Sequence, residues 1–242
     1  MRPEICTIGP FTIYSYGIML VAAFLVSVSL ACRKATALNL NPDKVFNLAF
    51  LSFVAGIIGA RLFYVIENFG YYVRNLLEIV KLQHGGLSWF GGLGLGLLVA
   101  FRYVSRSKLE IYSVLDLFAP FVALAQSIGR IGCLLNGCCY GKESIFGIYF
   151  PVHGKILIPT QIYSSLFLLA LFIILRFLQE KNYRKGEIIF TYLLLYSAGR
   201  FLVEFWRADN PVLLWGLTLF QLISLALFSI SLIKLIAIKT GS

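Results

Sequence analysis

Charge is what this chain has least of. Only 13% of its 242 residues are Asp, Glu, Lys or Arg, and 59% are apolar; soluble domains carry roughly a quarter charged residues. That balance excludes an ordinary soluble domain and points to an integral membrane protein, one bundle without a separate soluble part. Five cysteines (Cys6, Cys32, Cys133, Cys138, Cys139) are too few for a disulfide scaffold. Only two histidines, His84 and His153, are present to complete any metal site. No basic segment and small-residue cleavage site frame the first apolar run, which is long enough to span, so no cleavable signal peptide is expected. The chain has no internal repeat and no matched pair of broken helices, which argues against a small transporter. A net charge of +10 raises the question of nucleic acid, but no soluble basic face exists to carry it, and no nucleic-acid partner is expected.

What is present is a series of apolar runs. A bilayer core about 30 Å thick needs roughly 20 apolar residues per helix, and seven segments qualify, near 12–31, 45–66, 87–104, 111–138, 160–180, 187–206 and 213–237. The fold class expected is therefore an all-α polytopic membrane protein with seven transmembrane helices, residues 1–242 forming a single domain. Positive charge orients it. Twelve Lys and Arg residues lie in the links after spans 1, 3 and 5 and in the tail, and six in the alternate links and N-terminus. The bias puts the N-terminus outside and the C-terminus in the cytoplasm.

A few ionisable residues remain within or at the rims of spans: Arg61, Glu67, Asp116, Arg130, Arg200 and Glu204. A charge at the bilayer centre costs on the order of 3 kcal/mol, so each is a functional candidate unless it snorkels to the interface. At about 1.5 Å per helical residue, Arg130 lies about 28 Å along span 4, at the outer rim; Arg200 and Glu204 lie about 20 and 25 Å into span 6. Arg61 is in the outer half of span 2. The spacing i, i+4 lets Arg200 and Glu204 pair. Three arginines directed to an outer leaflet have an anionic partner there, the phosphate of a phospholipid, which a guanidinium fork suits better than an ammonium group. A set of buried structural ion pairs is the alternative. Asp116, near the cytoplasmic end of span 4, reads as a helix–helix contact.

Small residues stud spans 2 to 4, in "AGIIGARLF", "HGGLSWFGGLGLG" and "SIGRIGCLLNGCCYG". Close helix packing accounts for such patterns. Gly91 and Gly92 lie on the same outer side as Arg130, where bare backbone could also admit lipid or substrate. Cys133, Cys138 and Cys139 form C-x4-C-C, and four readings stand side by side. They could be metal ligands, with His84 in reach, although zinc sites prefer C-x2–4-C with further ligands. They could form a redox dithiol, supply a nucleophile eased by Arg130, or simply pack and line a pocket.

At this point the residues resemble a family, the prolipoprotein diacylglyceryl transferases of bacterial inner membranes. The resemblance covers nearly the whole chain: "GPFTIYSYGIML", "GARLFYV", "GGLSWFGGLGLG", "DLFAPFVALAQSIGRIGCLLNGCCYGK", "IPTQIYSSL" and "YSAGRFLVEFWR". It implies a multi-pass enzyme of the bacterial inner (cytoplasmic) membrane whose site faces the outer leaflet. Its partners would be phosphatidylglycerol, a membrane lipid, and the lipobox peptide of a preprolipoprotein. The enzyme would move the diacylglyceryl group onto the lipobox cysteine thiol. It also implies roles: Arg130 gripping the lipid phosphate, Asn136 and Gly141 shaping the site, Tyr16 at the mouth of span 1 supporting activity, and Arg200 with Glu204 as the second charged half. No metal or organic cofactor is required.

The departures from the family pattern are specific. Phe90 stands where the third span usually has histidine, Cys133 where asparagine is usual, and Cys138 where glutamate is usual. In the fifth span Ile158 replaces a histidine, and a serine replaces a glutamate. These substitutions bear on proton handling and on the acceptor. Rival functions are therefore a diverged paralogue that moves a lipid group to another acceptor, and a membrane thiol oxidoreductase using Cys133, Cys138 and Cys139.

Overall fold

The computed structural model describes residues 1, 3–8, 11–81 and 85–241. His84, weighed above as a metal ligand, lies outside the described residues. The chain divides into two compact units, one of Met1–Leu30 with Tyr112–Ser242 and one of Ala31–Ile111.

Helices occupy the place of each expected span. They are α1 (Ser15–Ala37), α2 (Pro42–Glu67), a short α3 (Phe69–Tyr72), α4 (Trp89–Arg106), α5 (Ile111–Asn136), α6 (Thr160–Leu178), α7 (Glu187–Glu204) and α8 (Leu219–Thr240). Among the described residues, α1, α2, α5, α6 and α8 are long and apolar enough to cross a membrane by length and composition. Large apolar side chains such as Leu97, Leu98, Phe101, Ile173 and Phe177 face outward, more than half exposed to the surroundings. Water would not tolerate that surface, and hydrocarbon does; within it the helix satisfies its own backbone. The fold is a helical polytopic membrane protein.

The link segments hold more order than their composition suggests. Three antiparallel strand pairs flank the helices: β1 (Glu4–Ile8) with β2 (Phe11–Tyr14) ahead of α1, β3 (Glu143–Phe150) with β4 (Lys155–Leu157) between α5 and α6, and β5 (Val212–Leu214) with β6 (Leu217–Thr218) between α7 and α8. The last hairpin delays the final helix to Leu219 from the expected 213. Thr218 starts α8 with a capping box, its hydroxyl accepting from the Gln221 N–H while the Gln221 side chain accepts from the Thr218 N–H.

In the unit Ala31–Ile111, Asn41 opens α2 by accepting from the N–H groups of Asp43 and Lys44 at 2.8 and 3.2 Å, with Pro42 next in line. Helices α2 and α4 then cross so closely that a Cβ at Gly59 would collide with the Gly91 carbonyl, and one at Gly91 with the Gly59 carbonyl. Gly92 lies against the Gly56 carbonyl in the same seam. The small-residue packing reading of these glycines is met in full.

In the other unit, α5, α6 and α7 bury Ala119, Ala123, Leu171, Leu175, Ile188 and Tyr192 against one another. Pro120 sits inside α5. It has no N–H to give the carbonyl four residues back, so the Asp116 carbonyl is left open. Gln179, just past α6, donates to it at 2.6 Å and is itself held by Arg176 at 2.7 Å. The Asp116 carboxylate accepts from the Gly186 and Ile189 N–H groups at 2.6 and 2.9 Å, capping the first turn of α7. Asp116 is a helix–helix contact, as its position predicts.

Candidate active site

The structure gathers most of the expected site residues in the unit that holds α5, α6 and α7. Arg200 and Glu204 pair along α7, Nη2 to Oε2 at 2.9 Å, with the Glu204 side chain fully buried. Arg207, one turn further on, approaches the same oxygen at 3.9 Å and forms a two-pronged pair with Asp209 at 2.8 and 2.5 Å. The other Glu204 oxygen accepts from the Asn210 amide at 2.5 Å and from the Thr218 hydroxyl at 2.8 Å. The first oxygen, Oε2, is ion-paired but accepts no hydrogen bond among the described residues. Phe220 closes the cluster beneath the Arg200 guanidinium, 4.9 Å away.

Arg130 stands differently. It is half-buried in the last two turns of α5, and among the described residues no carboxylate pairs with it. It lies within electrostatic reach of Arg200, as does Arg207. Among the described residues, these three guanidinium groups stand with two carboxylates, Glu204 and Asp209, and Arg130 pairs with neither. A cavity of about 190 Å³ opens beside it, lined by Arg130, Ile131, Leu134, Gln161, Ile162, Ser165 and Leu166. Gln161 is almost wholly buried there. Its amide nitrogen donates to the Cys138 carbonyl at 2.6 Å, while its oxygen has no partner among the described residues. Ser127 and Ser165 clasp α5 to α6 next to the cavity, each hydroxyl donating to the other's carbonyl at 2.8 and 3.0 Å.

The segment after α5 is pinned on three sides. Gly137 and Cys139 both adopt positive φ, +77° and +64°. The Cys139 carbonyl accepts from the Thr160 hydroxyl at 2.7 Å, and the Gly137 carbonyl from His153 Nε2 at 2.8 Å. At Gly141 the chain passes between two other segments. Its N–H donates to the Ile158 carbonyl at 2.9 Å, it bridges to Arg207, and the Lys142 N–H donates to the Trp206 carbonyl at 2.8 Å. A Cβ there would meet the Trp206 oxygen, Ile158 and Thr160 at 2.7, 2.8 and 2.9 Å. Gly141 shapes the site by letting the backbone that carries Arg207 come close. Asn136 ends α5 six residues, nearly two turns, beyond Arg130 and hydrogen-bonds Cys138. Tyr16, at the start of α1, packs on Gly132 and lies within electrostatic reach of Arg130 and the three cysteines.

The thiols of Cys133, Cys138 and Cys139 converge, their sulfur atoms all within 4.8 Å of one another, and all three are free. Hydrogen bonds from the Cys133 and Cys138 thiols, backed by the charges of Arg207 and Arg130, draw the Cys139 thiol below its ordinary range.

Three expected site residues have other employment. Arg61 donates to five backbone carbonyls, those of Glu78, Ile79, Lys81, Gly85 and Gly86, and its guanidinium lies over the Tyr72 ring. That uses all five N–H groups. It anchors the loop before α4 and has no donor left for a lipid phosphate. Gly91 and Gly92 are filled by the α2–α4 crossing described above, so their bare backbone faces a helix. Phe90, at the family's histidine place, is half exposed. Arg207, Asn210 and Thr218 are the residues the sequence reading missed. Arg207 falls seven residues after Arg200 and three after Glu204, a helical-face spacing that was the available signal.

Residues 3–237 match the family profile described as prolipoprotein diacylglyceryl transferase. A phosphatidylglycerol–prolipoprotein diacylglyceryl transferase 2 from Clostridium perfringens is 37% identical over 216 residues, 86% of this chain and 84% of that protein. Phosphatidylglycerol–prolipoprotein diacylglyceryl transferases from Bacillus cereus and Streptococcus pyogenes are each 34% identical. They cover 95% and 98% of this chain, and 89% and 95% of their own lengths. With nearly the whole chain matched to the family and to relatives 34–37% identical, the protein belongs to the prolipoprotein diacylglyceryl transferase family.

Proposed function

We propose that this protein transfers the diacylglyceryl group of phosphatidylglycerol to the lipobox cysteine thiol of preprolipoproteins, the first step of bacterial lipoprotein maturation. It works in the bacterial inner membrane as seven spans, N-terminus outside and C-terminus in the cytoplasm, with its site open to the outer leaflet. The positive-inside bias supports that orientation.

The observation that carries the reading is the positive charge at Arg130, which pairs with no carboxylate among the described residues. Phosphatidylglycerol brings one negative charge on its phosphodiester. When the thiol sulfur attacks the glyceryl C3 carbon, a C–S bond forms and the C–O bond to phosphate breaks. Glycerol phosphate leaves with a second charge developing on its oxygens, and the thiol proton goes to solvent or to a nearby acceptor. Groups aimed at charge that grows during the reaction lower its barrier more than they tighten substrate binding. Arg130 is free to meet the phosphate, while Arg200 and Arg207 are held in place by Glu204 and Asp209. Glu204, fully buried and ion-paired with Arg200, holds the arginines in position. Tyr16 and Asn136 flank the phosphate end, and Gly141 keeps the Arg207 segment close.

The test uses purified protein in phosphatidylglycerol vesicles with a synthetic lipobox peptide and its Cys→Ser counterpart. The cysteine peptide gains one diacylglyceryl group and the serine peptide none. Equal modification of both peptides would refute the thiol acceptor, and modification of neither would refute the transferase reading.

A further inference from the structure

Cys133 lies in the last turn of α5, and the next two cysteines return to it through a turn that the surrounding structure fixes. The Cys138 N–H donates to the Cys133 carbonyl at 3.1 Å. Gln161 and Thr160 of α6 hold the carbonyls of Cys138 and Cys139, and His153 holds that of Gly137. A non-glycine residue at positive φ costs on the order of 1 kcal/mol or more, so the turn at Cys139 persists because those bonds over-determine it. Its outcome is three half-buried sulfur atoms, all within 4.8 Å of one another.

We infer that Cys133, Cys138 and Cys139 form a binding site for a soft d10 metal cation, with Cu(I) as the ion the donor set fits. Three sulfurs bound to one ion at about 2.3 Å stand roughly 4 Å apart, so side-chain rotation of under about 1 Å per sulfur closes the site. Thiolates select Cu(I) and Zn(II) over harder ions. The described donor set is sulfur alone, because the His153 Nε2 faces the Gly137 carbonyl. Three sulfurs complete Cu(I), whereas Zn(II) takes four ligands and would need a water here. An odd number of convergent thiols also fits a metal better than a disulfide, which would strand the third. The charge is matched as well. Binding releases the thiol protons, and the Arg207 side chain, hydrogen-bonded to Cys139, and Arg130 stand ready as counter-charges. This site goes beyond the transfer reaction, and its test does not depend on it.

The experiment titrates the full-length protein, purified in detergent with thiols reduced and oxygen excluded, with Cu(I) against a chromophoric Cu(I) chelator. One Cu(I) per chain is expected, with an X-ray absorption first shell of sulfur only. Loss of an outer-shell partner alone weakens metal sites 10- to 100-fold, so Cys133→Ser, Cys138→Ser and Cys139→Ser should each weaken binding at least about 100-fold. Cys6→Ser and Cys32→Ser should leave it unchanged. The Cys133→Asn/Cys138→Glu double variant, checked by thermal unfolding, separates loss of ligands from loss of fold. The inference is overturned if a double variant that melts like the parent binds Cu(I) as tightly. Nitrogen or oxygen dominating the first shell, or a disulfide among the three cysteines in protein taken directly from membranes, would overturn it equally.

Discussion

Replacing Arg130 by glutamine separates chemistry from stability more sharply than any other change in the site. The Arg130 guanidinium makes no ion pair among the described residues, and it sits within electrostatic reach of a like charge, Arg200. Its removal leaves no carboxylate stranded and relieves repulsion, so the melting temperature should hold or rise slightly. Transfer should fall by about 10²- to 10³-fold, the usual loss when one preorganised donor to a developing oxyanion is deleted, or about 2.7–4 kcal/mol of barrier. Arg200→Gln is the internal comparison. It removes the 2.9 Å partner of a fully buried Glu204, and breaking a buried pair costs about 3–5 kcal/mol. Arg207 at 3.9 Å offsets part of that, which favours the lower end. At about 2–4 °C per kcal/mol for a chain of this size, a fall of roughly 6–12 °C is expected. The assays are thermal unfolding in detergent and single-turnover transfer to a lipobox peptide. Near-normal transfer by Arg130→Gln would refute the clamp. So would a melting loss in Arg130→Gln equal to that of Arg200→Gln, since it would mean that Arg130 is a structural ion-pair member.

Other changes test the frame around that cluster. Gly141→Ala puts a methyl group against Trp206, Ile158 and Thr160; overpacking of this kind costs about 1–3 kcal/mol, and transfer should fall further than stability because Arg207 moves with the strand, as paired melting and activity measurements would reveal. Gln179→Ala leaves the Asp116 carbonyl opposite Pro120 without a donor, a loss of about 1–3 kcal/mol, read as a lower melting temperature with little change in transfer by the surviving folded protein. Cys138→Ser should retain most transfer, because no step of the displacement uses its sulfur; a dead Cys138→Ser would return weight to a covalent or redox role. Loading the protein with Cu(I) should depress transfer, by drawing Arg130 and Arg207 toward the thiolates, and a Cu(I) chelator should restore it.

The helices were legible because each apolar run is long and its flanks are charged, so hydropathy and helix length agree. The ends were less so. β5 and β6 are apolar enough to pass for the start of a span, and only tertiary pairing separates Val212 from the helix that begins at Leu219. The pairing of Arg200 with Glu204 followed from helical spacing alone, and the structural character of Asp116 from its place near the cytoplasmic end of its span. Arg61 shows the limit of that kind of inference. An arginine in the outer half of a span has two ways to satisfy its donors, and sequence does not reveal that the loop before α4 folds back to present five carbonyls to it. Arg207 was hidden for a complementary reason: it follows the last helical residue, so charge counting assigned it to a link, while the bridge to Gly141 brings it into the site. The convergence of the cysteines depends on positive φ at Gly137 and Cys139, which spacing does not encode.

The central claim is that the arginine cluster drives displacement at the glyceryl carbon with phosphate as the departing group. It is tested most directly by mass spectrometry of a lipobox peptide incubated with the purified protein and phosphatidylglycerol, with both products quantified. The account predicts a peptide heavier by one diacylglyceryl group on its cysteine and an equal molar amount of glycerol phosphate released. Unmodified peptide in the presence of folded protein, or lipidated peptide without matching glycerol phosphate, would contradict it.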